Sequence, residues 1–265
     1  MIESQKKGAK PSLAHSAEGL PGPVVIGGVG GSGTRVVAEL LKQLGFYMGV
    51  DDGNKPNQLK SNDNQWLNGK RFIRTPLTRQ QALLREFKRK MLHSHAVDYT
   101  RYIGWGFKNP FTHLYLKTLN RHFDSLKYIL VIRNGLDMAF SENKRQLRLW
   151  GKRFNIEMPK DKKYLPIAQL NYWIKSNRRS IRLGNKLLGN RFFVLNYDQL
   201  CLNPKMEIQK LIRFLGLDVN EMDIHPLSRI VRKPESFERY KKHDLSIFNE
   251  KHFQAVRSFG FEVKL

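Results

Sequence analysis

The sequence has little of what builds a disulfide framework or a membrane span. Its 265 residues include a single cysteine, Cys201, which excludes an internal disulfide and a metal site made of several cysteines. No stretch approaches the ~20 consecutive apolar residues that a membrane-spanning helix needs. The first residues, MIESQKKGAKPSLAHSAEG, contain no apolar segment of the secretory type. These absences predict a soluble, cytoplasmic protein with no membrane span.

Acidic residues are scarce as well. The chain carries 47 Lys and Arg against 23 Asp and Glu, a formal net charge of +24 at pH 7. The excess is spread along the chain, and it attracts anions such as nucleotides, acidic glycans, nucleic acid or a negative lipid surface.

What the sequence does have is a glycine-rich turn between an apolar run and an amphipathic segment. PVVIGGVGGSGTRVVAELLKQLG begins at Pro23, with an apolar run typical of a strand buried on both faces. From Val36 onward, apolar residues recur at helical spacing. The glycines between them permit tight or left-handed turns. A loop of this kind, leading into a helix N-terminus, binds phosphate or another tetrahedral anion.

The same loop lacks the two side chains of a nucleotide triphosphatase P-loop. That motif reads GxxxxGK[ST], with the Lys on the phosphates and the hydroxyl on magnesium. Here the frame from Gly28 reads GVGGSGTR, so Thr34 stands in place of the Lys and Arg35 in place of the hydroxyl. The anion site is kept without the metal chemistry, which indicates a metal-free transfer from a phosphate-bearing donor.

Two segments resemble the motifs of sulfotransferases that use 3′-phosphoadenosine 5′-phosphosulfate (PAPS). The first motif, close to SGT[TR], would hold the 5′-phosphosulfate through Gly30, Gly31, Ser32, Gly33, Thr34 and Arg35. The second is YILVIRNGLDMAFSENKRQ, a strand ending in Arg133 followed by a helix carrying Ser141. The resemblance implies that Arg133 and Ser141 hold the 3′-phosphate, a role that suits a guanidinium fork.

Two later segments extend the resemblance. RFFVLNYDQLCLNPKMEIQKLIRFLGL is similar to a strand, turn and helix of the family that serve mainly as scaffold. RKPESFERYKKHD, which we call the late basic loop (232–244), resembles the segment that closes over the 3′-phosphate and adenine. Its candidate contacts are Arg232, Lys233, Arg239 and Lys241.

The loop departs from the family at Gly31, where many members carry Lys or Arg directly before SGT. Arg35 is one candidate for the missing charge. Lys108 is another, because WGFKNP resembles a short strand ending in Lys-x-Pro in related enzymes. We expect Lys108 to act as the cation that neutralises the transition state.

The acceptor hydroxyl must also lose a proton to a carboxylate or histidine within hydrogen-bond reach. The polar segment FYMGVDDGNKPNQLKSNDNQWL supplies Asp52 and Asp63 as the main candidates, with Asp51 close behind. The alternatives are His93, His95 and His113.

The pattern along the chain predicts an α/β, three-layer P-loop-like fold with a central, mostly parallel β-sheet flanked by helices. Apolar runs predict strands over 23–29, 103–108, 127–133 and 191–196. Helical spacing predicts helices over 76–92, 110–122 and 165–189. We expect residues 1–22 to form a flexible arm and residues 23–265 a single sulfotransferase-like domain.

The sequence therefore predicts a PAPS-dependent sulfotransferase that modifies an acceptor hydroxyl, with PAP as product and no metal. The net charge favours an anionic acceptor, such as a uronic-acid or already sulfated polysaccharide. One alternative is a P-loop-type small-molecule kinase. Another is a basic nucleic-acid-binding protein that stacks bases on Trp66, Trp105, Trp150 and Trp173, although no specific nucleic-acid motif is present. Oligomeric state and acceptor identity have no signal in the sequence.

Overall fold

Five parallel strands form a central sheet. The computed structural model describes residues 19–49, 70–93 and 97–263, so most of the expected arm lies outside them. Within these ranges the strands are β1 (Val24–Gly28), β2 (Phe46–Tyr47), β3 (Gly104–Lys108), β4 (Lys127–Ile132) and β5 (Phe192–Asn196). Their order is β2-β3-β1-β4-β5, and every neighbouring pair is parallel.

Helices cover both faces of the sheet. In the described ranges they are α1 (Thr34–Gln43), α2 (Lys70–Arg74), α3 (Leu77–Leu92), α4 (Leu116–His122), α5 (Gly135–Ala139), α6 (Arg145–Trp150), α7 (Leu165–Leu188), α8 (Tyr197–Leu202), α9 (Pro204–Leu215), α10 (Ile224–Ile230) and α11 (Glu250–Arg257). None of these helices combines the length and the apolar content that crossing a bilayer requires.

The side chains of β1 divide between two apolar cores, one on each face of the sheet. Val24 and Ile26 pack in the core that includes α1 and α9, whereas Val25 packs in the core that includes α7. Successive side chains of a strand point to opposite faces, so one unbroken apolar run fills both cores. This arrangement explains why the central strands are continuously apolar, and it confirms the predicted three-layer fold.

The four predicted strands are confirmed as β1, β3, β4 and β5. β2 was not predicted, because two residues are too short to form a recognisable apolar run. The predicted helix over 110–122 is wrong at its start, since Thr112–Leu114 is a 3-10 turn and α4 begins at Leu116. The Thr112 hydroxyl donates to the Asn109 carbonyl at 2.8 Å, and such side-chain bonds compete with helix formation.

The glycine loop follows the central strand of the sheet. The chain fills β2 and β3 on one side of β1 before it crosses to β4 and β5 on the other side. In open α/β sheets, a reversal of this kind leaves a crevice at the carboxyl ends of the strands, where ligands bind. The ends of β1, β3 and β4 surround this crevice.

Candidate active site

The last residue of β1 and the last residue of the loop before α1 are two positions that only glycine fits. Gly33 has a φ of 95°, and a Cβ atom there would lie 2.2 Å from the ring of Tyr197. A Cβ atom on Gly28 would lie 2.4 Å from the carbonyl oxygen of Val131 in β4. Both distances are far shorter than van der Waals contact, so a larger residue would push the loop away from α8 or β4.

The N-terminus of α1 is not capped. No described side chain accepts a hydrogen bond from its first turn, so the leading N–H groups have no side-chain partner within the described ranges. The adjacent Ser32 is buried, and its Oγ has no hydrogen-bond partner among the described residues. A helix start with partial positive charge, beside an unpartnered hydroxyl, is a site for an anion.

A cleft of about 510 Å³ lies in front of this loop. Its described lining consists of residues 30, 31 and 33–36 together with Lys108, Pro110, Phe111, Asn143, Arg145, Gln146 and Tyr197. Arg35, Lys108 and Arg145 carry positive charge, and no carboxylate or histidine is among the described lining residues. The electrostatics of the cleft therefore favour an anionic ligand.

Lys108 is the most deeply buried of the three cations. It ends β3 beside Ile26 of β1, and only 5% of the residue is exposed. Burial, and to a lesser extent the Arg35 guanidinium, lowers the pKa of Lys108 to about 8. No carboxylate among the described residues forms an ion pair with either cation. Since a buried ammonium without a counterion is costly, a bound anion would recover part of that cost.

Gln146, at the start of α6, connects the ends of β1 and β3. Its buried side chain donates from Nε2 to the carbonyl oxygens of Gly28, at 3.2 Å, and Pro110, at 3.4 Å. Its Oε1 accepts the hydroxyl of Tyr172 at 3.1 Å. These bonds fix the glycine loop relative to the segment that carries Lys108.

The glycine loop and Lys108 make up what we call the first half of the site. Arg133 and Asp137, which follow β4, belong to the second half. Arg133 Nη2 lies 3.1 Å from a carboxylate oxygen of Asp137, and both side chains are almost fully buried. Arg133 also donates to the hydroxyl of Ser236, at 3.2 Å, and to its carbonyl oxygen. Asp137 accepts the backbone N–H groups of Glu238 and Tyr240, at 2.9 and 3.2 Å. The pair therefore fastens the late basic loop to α5.

Ser141 connects the two halves of the site. A Cβ atom on Gly31 would lie 3.8 Å from Ser141 Oγ, so the glycine loop approaches the segment after α5. Ser141 is buried, and its Oγ accepts the backbone N–H of Asn143 at 3.3 Å. Because that bond uses the oxygen as acceptor, the hydroxyl proton is free to be donated.

Arg239 and Lys144 add two cations near Arg133. The pKa of Arg239 is lowered, first by burial and then by the charge of Arg133. Burial lowers the pKa of Lys144 to about 8, with smaller contributions from Arg239 and Arg148. Asp137 and Glu142 act on the pKa of Arg239 in the opposite direction, so this half of the site combines three cations with nearby acidic groups.

The sequence matches a model of a protein family. The model, described as the sulfotransferase family, matches residues 23–221. The chain belongs to the sulfotransferase family. Membership confirms the resemblance found in the sequence motifs and indicates a transferase. No curated protein matches the sequence.

Solved sulfotransferase structures share the fold. The sulfotransferase domain of the Synechococcus PCC 7002 olefin synthase has a TM-score of 0.55 at 16% identity, covering 98% of this chain and 100% of that chain. Sulfotransferase STF9 from Mycobacterium avium has a TM-score of 0.55 at 12% identity, covering 92% of this chain and 77% of that chain. The sulfotransferase domain of the curacin biosynthetic pathway has a TM-score of 0.50 at 14% identity, with 92% and 99% covered. At these identities, the likeness concerns the fold.

The sulfotransferase has most of its predicted donor contacts around one cleft. Gly30, Gly31, Gly33, Thr34, Arg35 and Lys108 line it. Ser32 is buried within the same loop, and Ser141 approaches the loop at Gly31. Arg133 and Arg239 lie together in the second half, where both donate to the carbonyl oxygen of Ser236.

The predicted bases do not line the described part of the cleft. Asp51, Asp52, Asp63 and His95 lie outside the described residues. His93 is exposed at the end of α3, and it is not among the lining residues. His113 is buried away from the lining, where desolvation lowers its pKa to about 4 and one ring nitrogen lies 2.7 Å from the Pro110 carbonyl oxygen.

Two of the other late-loop candidates make local contacts instead. Lys233 lies over the ring of Phe237, 4.3 Å from its centroid, and Lys241 pairs with Glu238 at 2.9 Å. Sequence reasoning missed Asp137, Lys144 and Gln146. Only Asp137 had a signal, because it lies four residues after Arg133, where a helix places a partner of opposite charge.

Proposed function

We propose that this sulfotransferase uses PAPS as its donor and transfers the sulfuryl group to a hydroxyl by metal-free in-line displacement. When bound, PAPS would supply a sulfuryl group already joined to a phosphate leaving group. One observation carries the proposal: the buried ammonium of Lys108, which has no ion-pair partner in the described part of the chain, shares a cleft with the N-terminus of α1, which no described side chain caps. The orphaned Ser32 hydroxyl and the close glycine backbone fit a phosphate-bearing ligand at this point.

The first half of the site would hold the phosphosulfate. The leading N–H groups of α1 and the hydroxyls of Ser32 and Thr34 would bind oxygens of the anion. Lys108 and Arg35 would neutralise charge that develops on the sulfuryl oxygens and the leaving phosphate. These two cations would thereby replace the basic residue that many family members carry at the position of Gly31.

The second half would hold the 3′-phosphate. Ser141 has a free hydroxyl proton, while Arg239 and Lys144 have no ion-pair partner among the described residues. Arg133 would contribute its charge from a position fixed by Asp137. We assign Arg133 a double role, in binding the phosphate and in anchoring the late basic loop.

On the acceptor side, the hydroxyl oxygen would bond to sulfur while the bond from sulfur to the phosphate oxygen breaks. A base would take the hydroxyl proton in the same step. We propose Asp52 or Asp63 as this base, with Asp51 next, because the described lining of the cleft contains no carboxylate or histidine. The net charge of +24 supports an acceptor that is an anion.

Neither alternative function has support from the site. A kinase of the P-loop type needs a Lys and a hydroxyl at positions held by Thr34 and Arg35. A protein that stacks bases needs exposed aromatic faces, but Trp105, Trp150 and Trp173 are 1%, 5% and 0% exposed. Trp66 lies outside the described residues.

Calorimetric titration with 3′,5′-adenosine bisphosphate, alongside ATP with magnesium, tests the donor assignment. We expect the bisphosphate to bind and magnesium ATP to bind at least about tenfold more weakly, a difference of about 1.4 kcal/mol. The variant Arg35→Ala, which removes an exposed cation from the cleft, should weaken bisphosphate binding. Arg213→Ala, which removes an exposed cation from α9, should leave it unchanged. A preference for magnesium ATP would overturn the assignment in favour of a kinase.

A further inference from the structure

A second cleft, of about 750 Å³, lies along the C-terminal part of α6. Its lining runs from Leu147 through the 3-10 turn Gly151–Phe154 to Met158, and it includes the end of α2. The lining combines two kinds of side chain. Four are cations, namely Arg74, Arg148, Lys152 and Arg153, and a larger group is apolar.

The cations of the second cleft lack counterions in the described part of the chain. Arg74, Arg148, Lys152 and Arg153 form no ion pair with a described carboxylate. Glu157 is the one acidic residue in the described lining. All four cations are exposed, and their charges lie within one cleft. Charge complementarity therefore favours a ligand that carries negative charge.

The apolar part of the lining distinguishes between kinds of anion. Ile73 and Leu149 are half-buried and Met158 is 43% exposed, so these three side chains offer aliphatic surface. Trp150, the only aromatic side chain among the described lining residues, is 5% exposed and presents little ring face for stacking a sugar. Aliphatic surface beside cations matches a hydrocarbon chain that ends in an anionic group better than it matches an acidic polysaccharide.

Helix α6 joins this cleft to the donor cleft. Arg145 and Gln146 line the donor cleft, whereas Leu147, Arg148 and Trp150 line the second one. Arg145 and Arg148 are neighbours on one helix face, separated by about 4.5 Å along the axis. A ligand held in the second cleft could thus reach the site of transfer.

We propose that the second cleft binds the acceptor, and that the acceptor is an amphipathic anion, an aliphatic chain carrying a carboxylate, phosphate or sulfate. This inference rests on the proposed function, since it takes the neighbouring cleft as the donor site. The cations beside the cleft hold the anionic group, and the aliphatic residues cover the chain. The hydroxyl to be sulfated then extends past Arg145 toward Lys108.

The test uses four probes that separate the effect of negative charge from the effect of a hydrocarbon chain: decanoate, acetate, decanol and a heparin tetrasaccharide. Each is titrated into the full-length protein by calorimetry. We expect decanoate to bind at least about tenfold tighter than either acetate or decanol, because only decanoate uses both parts of the lining. The heparin fragment should bind more weakly than decanoate.

Three variants locate the binding site. Lys152→Glu/Arg153→Glu should weaken decanoate binding about tenfold or more. Lys205→Glu/Arg213→Glu makes the same charge change at exposed positions of α9 and should have no effect. Met158→Gln replaces exposed apolar surface with a neutral polar side chain and should weaken decanoate binding without changing that of acetate.

The results divide clearly. Equal affinity for decanoate and acetate, tighter binding of heparin, or equal losses in both double variants would overturn the proposal. Titration with 3′,5′-adenosine bisphosphate is run on the same proteins, and Lys152→Glu/Arg153→Glu should retain that affinity. Failure of wild-type protein to bind the bisphosphate would count against the donor assignment, whereas loss of decanoate discrimination alone would count against the acceptor assignment.

Discussion

The buried cations in the two halves of the site differ in their described partners. Lys108, at the glycine loop, is buried without a carboxylate partner among the described residues, and its pKa is lowered to about 8. Arg133, in the other half, is buried against Asp137 at 3.1 Å and donates to Ser236 in the late basic loop. Lys108 has no described carboxylate partner, whereas the charge of Arg133 is paired with a carboxylate within the fold.

Because of this difference, we expect Lys108 to contribute to ligand binding and Asp137 to contribute to the stability of the fold. Lys108 is buried without a counterion among the described residues, so its removal should harm ligand binding and not the fold. Asp137 accepts hydrogen bonds from Arg133 and from two backbone N–H groups. Its removal should therefore lower the stability of the fold before it affects ligand binding. The predictions below test that separation, from the largest expected effect to the smallest.

Asp137→Ala should lower the free energy of unfolding by about 3–5 kcal/mol, because it leaves a buried guanidinium without its partner. Chemical denaturation measures this loss. Glu86→Ala is the matched control, since Glu86 pairs with Lys90 at the same spacing on an exposed face of α3. That variant should cost less than about 1 kcal/mol. Equal costs for the two variants would show that the buried pair does not anchor the fold.

Lys108→Met should weaken the binding of 3′,5′-adenosine bisphosphate by about 10- to 100-fold, because a charge-assisted contact is lost. The free energy of unfolding should stay the same or rise, because a buried charge is replaced by an apolar side chain of similar length. Titration and denaturation of the same preparation measure both quantities. Lys117→Met, at an exposed position of α4, should change neither. A loss of stability with unchanged affinity would contradict the comparison.

Ser141→Ala should weaken bisphosphate binding by about tenfold or less, because one hydrogen bond to a charged phosphate is lost. The fold should be little affected, since within the described ranges the hydroxyl oxygen accepts only the backbone N–H of Asn143. An equilibrium titration beside wild-type protein gives the change. If affinity is unchanged, the phosphate does not contact the segment after α5.

The sequence was sufficient for the parts of this fold that rest on local pattern. Continuous apolar runs predicted four strands, and the glycines at 28 and 33 marked a turn that tolerates no other residue. Lys108 could be placed near the loop because β3 ends in it. Its lowered pKa required the structure, since that shift depends on burial and on Arg35 from another element.

Long-range contacts were beyond the sequence. The bonds from Gln146 to Gly28 and Pro110 depend on β3 lying beside β1, and no local pattern encodes that order. The contacts of Asp137 with the late basic loop likewise join segments far apart in the chain. Asp52 and Asp63 remain predictions, because they lie outside the described residues.

Proton uptake during bisphosphate binding tests the central claim most directly. Because the pKa of Lys108 is lowered to about 8, part of the free protein holds this lysine neutral at a pH of about 8.5, and a bound anion favours the ammonium, so binding should take up a proton. Affinity should accordingly fall as pH rises through this range. Calorimetry in buffers of different ionisation enthalpy counts the protons taken up. We choose a pH of about 8.5 because the pKa of Lys108 is about 8.

Lys144 has a similarly lowered pKa, so Lys144→Met serves as the comparison for the other half of the site. We predict that Lys108→Met takes up fewer protons than wild-type protein on binding, by a fraction of a proton. Lys144→Met should keep part of the wild-type uptake. The same uptake in wild-type protein and Lys108→Met would contradict the claim that an anion binds beside this buried lysine.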